Sequence, residues 1–105
     1  MSGSLTTPRG TVYFLQSTES RRVKIGYTSN TAKGRAQDLQ VGNAEELLLL
    51  AEAPGTEEDE EKLQSLFASA RVRGEWFLPA EELLELTLEL SSGTVTLEDY
   101  LGGVP

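Results

Sequence analysis

Two short apolar segments near the start of the chain set the strongest limit on its fold. Residues 11–16 (TVYFLQ) and Val23–Thr28 (VKIGYT) are rich in β-branched and aromatic residues. In the second, Val23, Ile25 and Tyr27 alternate with Lys24 and Gly26, the period of two expected for a strand. Only the polar run 17–22 separates them. Strands joined by so short a loop pair antiparallel, because a parallel connection needs a crossover of roughly a dozen residues or more.

The rest of the chain alternates helix and strand signals. Ser29, Asn30 and Thr31 offer an N-cap, and a helix is expected from there to about Gln40, stopped by Val41, Gly42 and Asn43. Residues 47–53 form a nearly continuous apolar run and read as a third strand buried on both faces. After a Pro54-Gly55 turn, Thr56 opens a helix with Asp59 and the acids of 57–61 in its first turns, where they complement the helix dipole. Leu63, Leu66, Phe67 and Ala70 give that helix an apolar face. A basic loop, 71–74, leads to the extended piece Glu75-Trp76-Phe77, where Trp76 and Phe77 are expected in the core. Pro79 suits the first position of a last helix ending near Leu90. The expected class is α+β, with a small three-stranded antiparallel or mixed sheet flanked by helices. Residues 11–90 form the expected single domain, after a flexible leader at 1–10 and before a C-terminal tail at 91–105 with one short turn near Leu97.

Composition removes several chemistries. The chain has no cysteine and no histidine, so disulfides, thiolate and imidazole metal sites, and triads built on histidine are excluded. Chemistry must come from Tyr, Arg, Lys, Asp, Glu and hydroxyls. No apolar run approaches the ~20 residues of a spanning helix, so a cytoplasmic protein without membrane contact is expected. The net charge is −8, which as a whole opposes binding to nucleic acid. It is unevenly spread: residues 1–40 carry six basic residues and two acids, whereas 41–105 carry three basic residues and fifteen acids. The N-terminal part can therefore face a polyanion, or its cations can pair with the chain's own acids.

The ordered set Val12-Tyr13-Phe14, Lys24-Ile25-Gly26-Tyr27-Thr28, Arg35, Asp38-Leu39-Gln40-Val41-Gly42-Asn43, Glu60, Leu63, Phe67, Arg71 and Gly74-Glu75-Trp76-Phe77 resembles the GIY-YIG nuclease superfamily. The closest resemblance is to its branch of short phage-encoded and meiotically up-regulated domains. The resemblance implies a metal-dependent endonuclease that hydrolyses DNA phosphodiesters. It assigns the contact to water, or the role of base, to Tyr13. Arg35 would bind phosphate, and Glu60 would hold one divalent metal, Mg²⁺ or Mn²⁺. One carboxylate plus waters suits Mg²⁺, which keeps much of its hydration shell. Lys24 stands where many members have Tyr, and Tyr27 offers a second phenol. Lys24, Lys33, Arg35, Arg71 and Arg73 are the candidate contacts to nucleic acid. The branch usually has His four residues after its helix Glu; here Gln64 can hydrogen-bond but cannot titrate.

Each residue also has an ordinary reading. Tyr13 can be a packed aromatic, Lys24 a solvated strand residue and Arg35 a surface charge. Glu61 rivals Glu60 within the acidic run, and Glu75 can cap or bridge to Arg71. The alternative function is a catalytically inactive module on the same fold that binds nucleic acid or a protein partner. A homodimer or a larger partner would extend the small surface of a domain this size.

Overall fold

A computed structural model describes residues 10–102. The expected leader, apart from Gly10, and the last three residues of the expected tail lie outside the described residues. The elements run β1 (Gly10–Ser17), β2 (Val23–Thr28), α1 (Ala32–Val41), β3 (Leu47–Gly55), α2 (Glu57–Leu66), a 3-10 turn (Ala68–Ala70), β4 (Arg71–Arg73), β5 (Trp76–Phe77), α3 (Glu81–Ser92) and α4 (Leu97–Gly102). The α+β class is as expected, with helices flanking an antiparallel sheet. The sheet has five strands rather than three, in the order β3-β1-β2-β5-β4. The two additional strands have three and two residues, too few for alternation to show in the sequence.

The central strand β1 pairs antiparallel with both β2 and β3. Its side chains divide the domain into two layers. Val12 and Phe14 join Val23, Ile25, Phe77, Leu63 of α2 and Phe67 just after it, Leu83, Leu86 and Leu90 of α3, and Leu97 of α4. Tyr13 and Leu15 face the other way, onto Ala32, Ala36 and Leu39 of α1 and Leu47 of β3. Thus α1 covers one face of the sheet, and α2, α3 and α4 cover the other.

Local signals fix the helix ends. Thr31 caps α1, its hydroxyl accepting from Gly34 N at 3.0 Å. Thr56 and Asp59 close a reciprocal capping box on α2 at 3.1 and 3.0 Å, satisfying two of the backbone donors that a helix start leaves open. Gly93 ends α3 in the left-handed region with φ 79°, where residues with a Cβ are disfavoured.

The structure differs from the sequence reading in further places. β3 is an edge strand, so Leu48 and Leu49 are exposed instead of buried on both faces. A bulge accompanies this: Phe14 faces Ala51 but Leu15 faces Leu49, leaving Leu50 unmatched. Leu66 is exposed because α2 ends there, and the following 3-10 turn brings Ala70 into the interior. Phe77 lies in the core as expected, but Trp76 is only partly buried, because it pairs with Lys24 and not with a core position. Finally, α3 starts at Glu81 after an extended Ala80, two residues later than Pro79 suggested. Within the segment read as a tail, Leu97 of α4 enters the main core.

One close approach constrains β2. Gly26 lies directly opposite Tyr13, and a Cβ built at Gly26 would stand 2.3 Å from Cζ of that ring and 2.4 Å from its hydroxyl oxygen. The tyrosine ring therefore rests on bare backbone. Gly26→Ala should destabilise the domain by about 1–3 kcal/mol, the usual range for overpacking, read as a lower denaturant midpoint. The loss should shrink markedly in the Gly26→Ala, Tyr13→Leu double variant, since the two sites share one volume. Additive effects of the two substitutions would contradict the contact.

Candidate active site

The candidate residues are spread over both faces of the sheet: Lys24 and Tyr27 lie on β2 itself, Tyr13 faces α1, and Glu60 is on α2 on the other side. Lys24 lies opposite Leu15 and Trp76 in the sheet register, which puts it on the α1 side of the sheet. Its side chain is only 13% exposed, and its ammonium donates to Glu75 Oε1 at 2.6 Å. The same ammonium stands 5.7 Å from the centroid of the Trp76 ring. The stem is thus packed while the charge is held by one carboxylate and one aromatic face. Glu75 reaches this position because its carbonyl accepts from Ile25 N at 3.1 Å, just before β5.

Glu60 sits in the first turn of α2 and is 9% exposed. Its carboxylate has no hydrogen-bond partner among the described residues. Burial, then the carboxylates of Glu75 and Glu57, push its pKa up from 4.5 to about 7; Lys24 opposes the rise and Glu61 adds to it. The neighbouring Glu61 is exposed, so the two acids that the sequence left as rivals occupy different surroundings. One turn further along α2, Gln64 is committed at both ends. Its Nε2 donates to Ile25 O at 3.0 Å, and its Oε1 accepts from Arg71 Nη2 at 3.1 Å. Arg71 also stands 5.2 Å from the Phe77 ring centroid.

Tyr13 is 1% exposed and lies beneath α1, its ring on Gly26. Its hydroxyl also has no hydrogen-bond partner among the described residues. Buried hydroxyls and carboxylates are usually paired, so Tyr13 and Glu60 are two conspicuous exceptions in one small domain. Tyr27 is partly buried against the core on the opposite face, with Val12 as its strand partner. Arg35 is exposed on α1. With Tyr27, Thr28, Asn30 and Asp38 it lines a polar cleft of about 510 Å³ at the C-terminal end of β2. Lys33 and Arg73 are exposed on α1 and β4.

The structure therefore brings Lys24, Glu75 and Glu60 into one electrostatic cluster, and Tyr27 and Arg35 onto one cleft. Tyr13 lies against Gly26 between Lys24 and the Tyr27 end of β2, while Arg71 is tied to Gln64. Sequence reasoning offered Glu75 as a bridge to Arg71; it bridges to Lys24 instead. The signal that would have found this is the pairing of Trp76 with Lys24, which a two-residue strand does not announce. Among the described residues no group of three or more acids could by itself hold a metal ion.

These features describe a small α+β domain with a mixed-charge site on the second strand of an antiparallel sheet. The chain belongs to the T5orf172 domain family, whose sequence profile matches residues 10–91. Comparison with curated proteins gave no match, and comparison with solved structures gave none.

The raised pKa of Glu60 makes stability depend on pH. Between about pH 4.5 and 7 the folded state holds a proton that the unfolded chain releases, so stability falls as pH rises through that window. Glu60→Gln removes the effect. The variant should exceed the parent in stability at pH 8 by roughly 1–2 kcal/mol, the size of the shift reduced for the solvent that still reaches the carboxylate, and by little at pH 4.5. Urea unfolding at the two pH values reads the difference; a gap that does not widen with pH would contradict the burial of this carboxylate.

Proposed function

We propose that the domain is a metal-dependent endonuclease of the GIY-YIG type, acting on DNA phosphodiester bonds. The observation that carries this reading is Glu60: a buried carboxylate, free of hydrogen bonds to the described residues and crowded by other acids. A divalent cation would relieve that arrangement by neutralising the carboxylate charge. The donor set fits Mg²⁺ or Mn²⁺ held by Glu60, with water and substrate oxygens completing the shell, since hard cations take oxygen ligands and Mg²⁺ dehydrates reluctantly. When bound, such a cation supplies charge stabilisation to the phosphoryl group and its leaving oxygen.

The remaining work falls to the chain's own side chains. Arg35, exposed beside a polar cleft, is suited to a bidentate grip on phosphate. The Tyr13 hydroxyl is the group to hold the attacking water by a hydrogen bond, or, as its phenolate, to take the proton of that water, with Tyr27 as a second phenol on the other face of the sheet. Lys24 opposes protonation of Glu60 and so favours the anionic form that a metal needs. Lys33, Arg71 and Arg73 extend the contact along the nucleic-acid backbone, and binding should weaken steeply with salt.

Gln64 favours a second reading. Its amide is used to join β2 to Arg71, a structural role with no proton to give, and this suits an inactive module that binds nucleic acid or a protein partner. Plasmid nicking separates the two. With Mg²⁺ or Mn²⁺ the parent should nick supercoiled DNA, and Glu60→Ala and Arg35→Ala should each lower the rate at least 100-fold. Cleavage that survives both substitutions would falsify the catalytic assignment. Salt-sensitive binding with no cleavage would select the inactive module.

A further inference from the structure

A second cleft lies on the α1 side of the sheet, at the opposite end of β2 from Arg35. Its volume is about 170 Å³, several times the ~30 Å³ share of one water, and Ser17, Ser20, Arg22, Asn43, Glu45 and Trp76 line it. Its walls are held in place by the β1–β2 turn. Ser17 N donates to Arg22 O at 3.0 Å and Arg21 N to Ser17 O at 2.9 Å. The Ser17 hydroxyl bonds to a Glu45 carboxylate oxygen and accepts from Ser20 N at 3.2 Å. Arg21 adopts φ 66°, a strained value for a residue with a Cβ, and Arg22 follows it into the cleft wall. Across the cleft, Asn43 Oδ1 accepts from Glu45 N at 3.0 Å, which leaves the Asn43 amide nitrogen as a donor.

The chemistry of this lining does not suit a phosphate. It carries one cation, Arg22, and one anion, Glu45, so it offers no net positive charge. It does offer an aromatic side chain, a guanidinium, an amide donor, a carboxylate acceptor and hydroxyls. That set matches a flat, uncharged ring with donors and acceptors on its edge. Trp76 is also the cross-strand partner of Lys24, and Lys24 is two residues from Gly26, about 7 Å along the strand. A nucleic-acid strand lying along β2 therefore passes the mouth of this cleft.

We propose that the Trp76 cleft receives a nucleobase taken out of its stack, so that the domain prefers single-stranded or locally unpaired nucleic acid. The proposal rests on the nucleic-acid reading above and specifies its substrate. The base stacks on Trp76, and Arg22, Asn43 and Glu45 meet its edge. Stacking of this kind is tolerant of sequence, because every base has a π-face.

Trp76 is the only tryptophan in the chain, so its fluorescence reports directly on the cleft. The full chain is titrated in Ca²⁺ with three end-labelled ligands: a single-stranded oligonucleotide, the same length of abasic strand, and a duplex. Fluorescence and label anisotropy are read together. The single strand should change Trp76 emission, while the abasic strand, with the same phosphates, should bind more weakly and leave emission unchanged. Trp76→Leu should weaken single-strand binding roughly 5-fold or more and leave abasic-strand binding unaltered, while Trp76→Phe keeps most of the affinity. Binding of the single strand without any change in Trp76 emission overturns the proposal, as does equal response to the abasic strand or tighter binding of the duplex. These readouts on the parent stand even if Trp76→Leu fails to fold. Failure of all three ligands to bind overturns the nucleic-acid reading itself, which distinguishes the two failures.

Discussion

Four consecutive residues of β1, Val12, Tyr13, Phe14 and Leu15, are withdrawn almost completely from water, and both layers of the domain exist to keep them so. A strand points successive side chains to opposite faces, so four buried residues in a row require cover on both sides. α2, α3 and α4 supply it on one side and α1 on the other. The neighbours β2 and β3 then satisfy the backbone groups that burial would otherwise leave unpaired. The site inherits its position from this arrangement. Lys24 and Gly26 lie on the α1 face because they pair with Leu15 and Tyr13, and the helix that carries Glu60 is placed by Leu63 and Phe67 in the opposite core.

The two layers are unequal. The side built by α2, α3 and α4 contains most of the large apolar side chains, from Phe14 and Phe77 to Leu83, Leu86 and Leu90. The other side buries Tyr13, Leu15 and Ala32 fully, with partial help from Ala36, Leu39 and Leu47. Polar chemistry collects where packing is thin. Lys24, Trp76 and Arg35 are all on the lighter side, whereas Glu60 stands at the margin of the heavier one, close enough to Lys24 and Glu75 for their charges to act on it.

Much of the frame was readable from local pattern. β-branched and aromatic composition disclosed β1, and alternation disclosed β2. Capping residues disclosed the starts of α1 and α2, and the structure adds the reciprocal bonds between Thr56 and Asp59. Residues 10–91, matched by the family profile, enclose the whole span over which the sequence resemblance ran. What local pattern could not disclose was pairing between distant segments. The apolar run of β3 looked like an interior strand because composition does not reveal which strand is at an edge. Trp76 looked like core because an aromatic beside Phe77 carries no sign of its face; only the pairing with Lys24 turns it outward. The lone position of the Glu60 carboxylate was equally hidden, since it arises from the joint placement of α2, β5 and β2.

The thin cover over Tyr13 has a dynamic consequence. α1 has ten residues, of which only Ala32 is fully buried, and its outward Val41 is almost wholly exposed. Segments with few apolar contacts open at a small fraction of the global unfolding free energy. α1 is therefore the element whose amide hydrogens exchange ahead of those in β1, β2 and α3. Each such opening carries Arg35 outward and uncovers the Tyr13 side chain that α1 shelters.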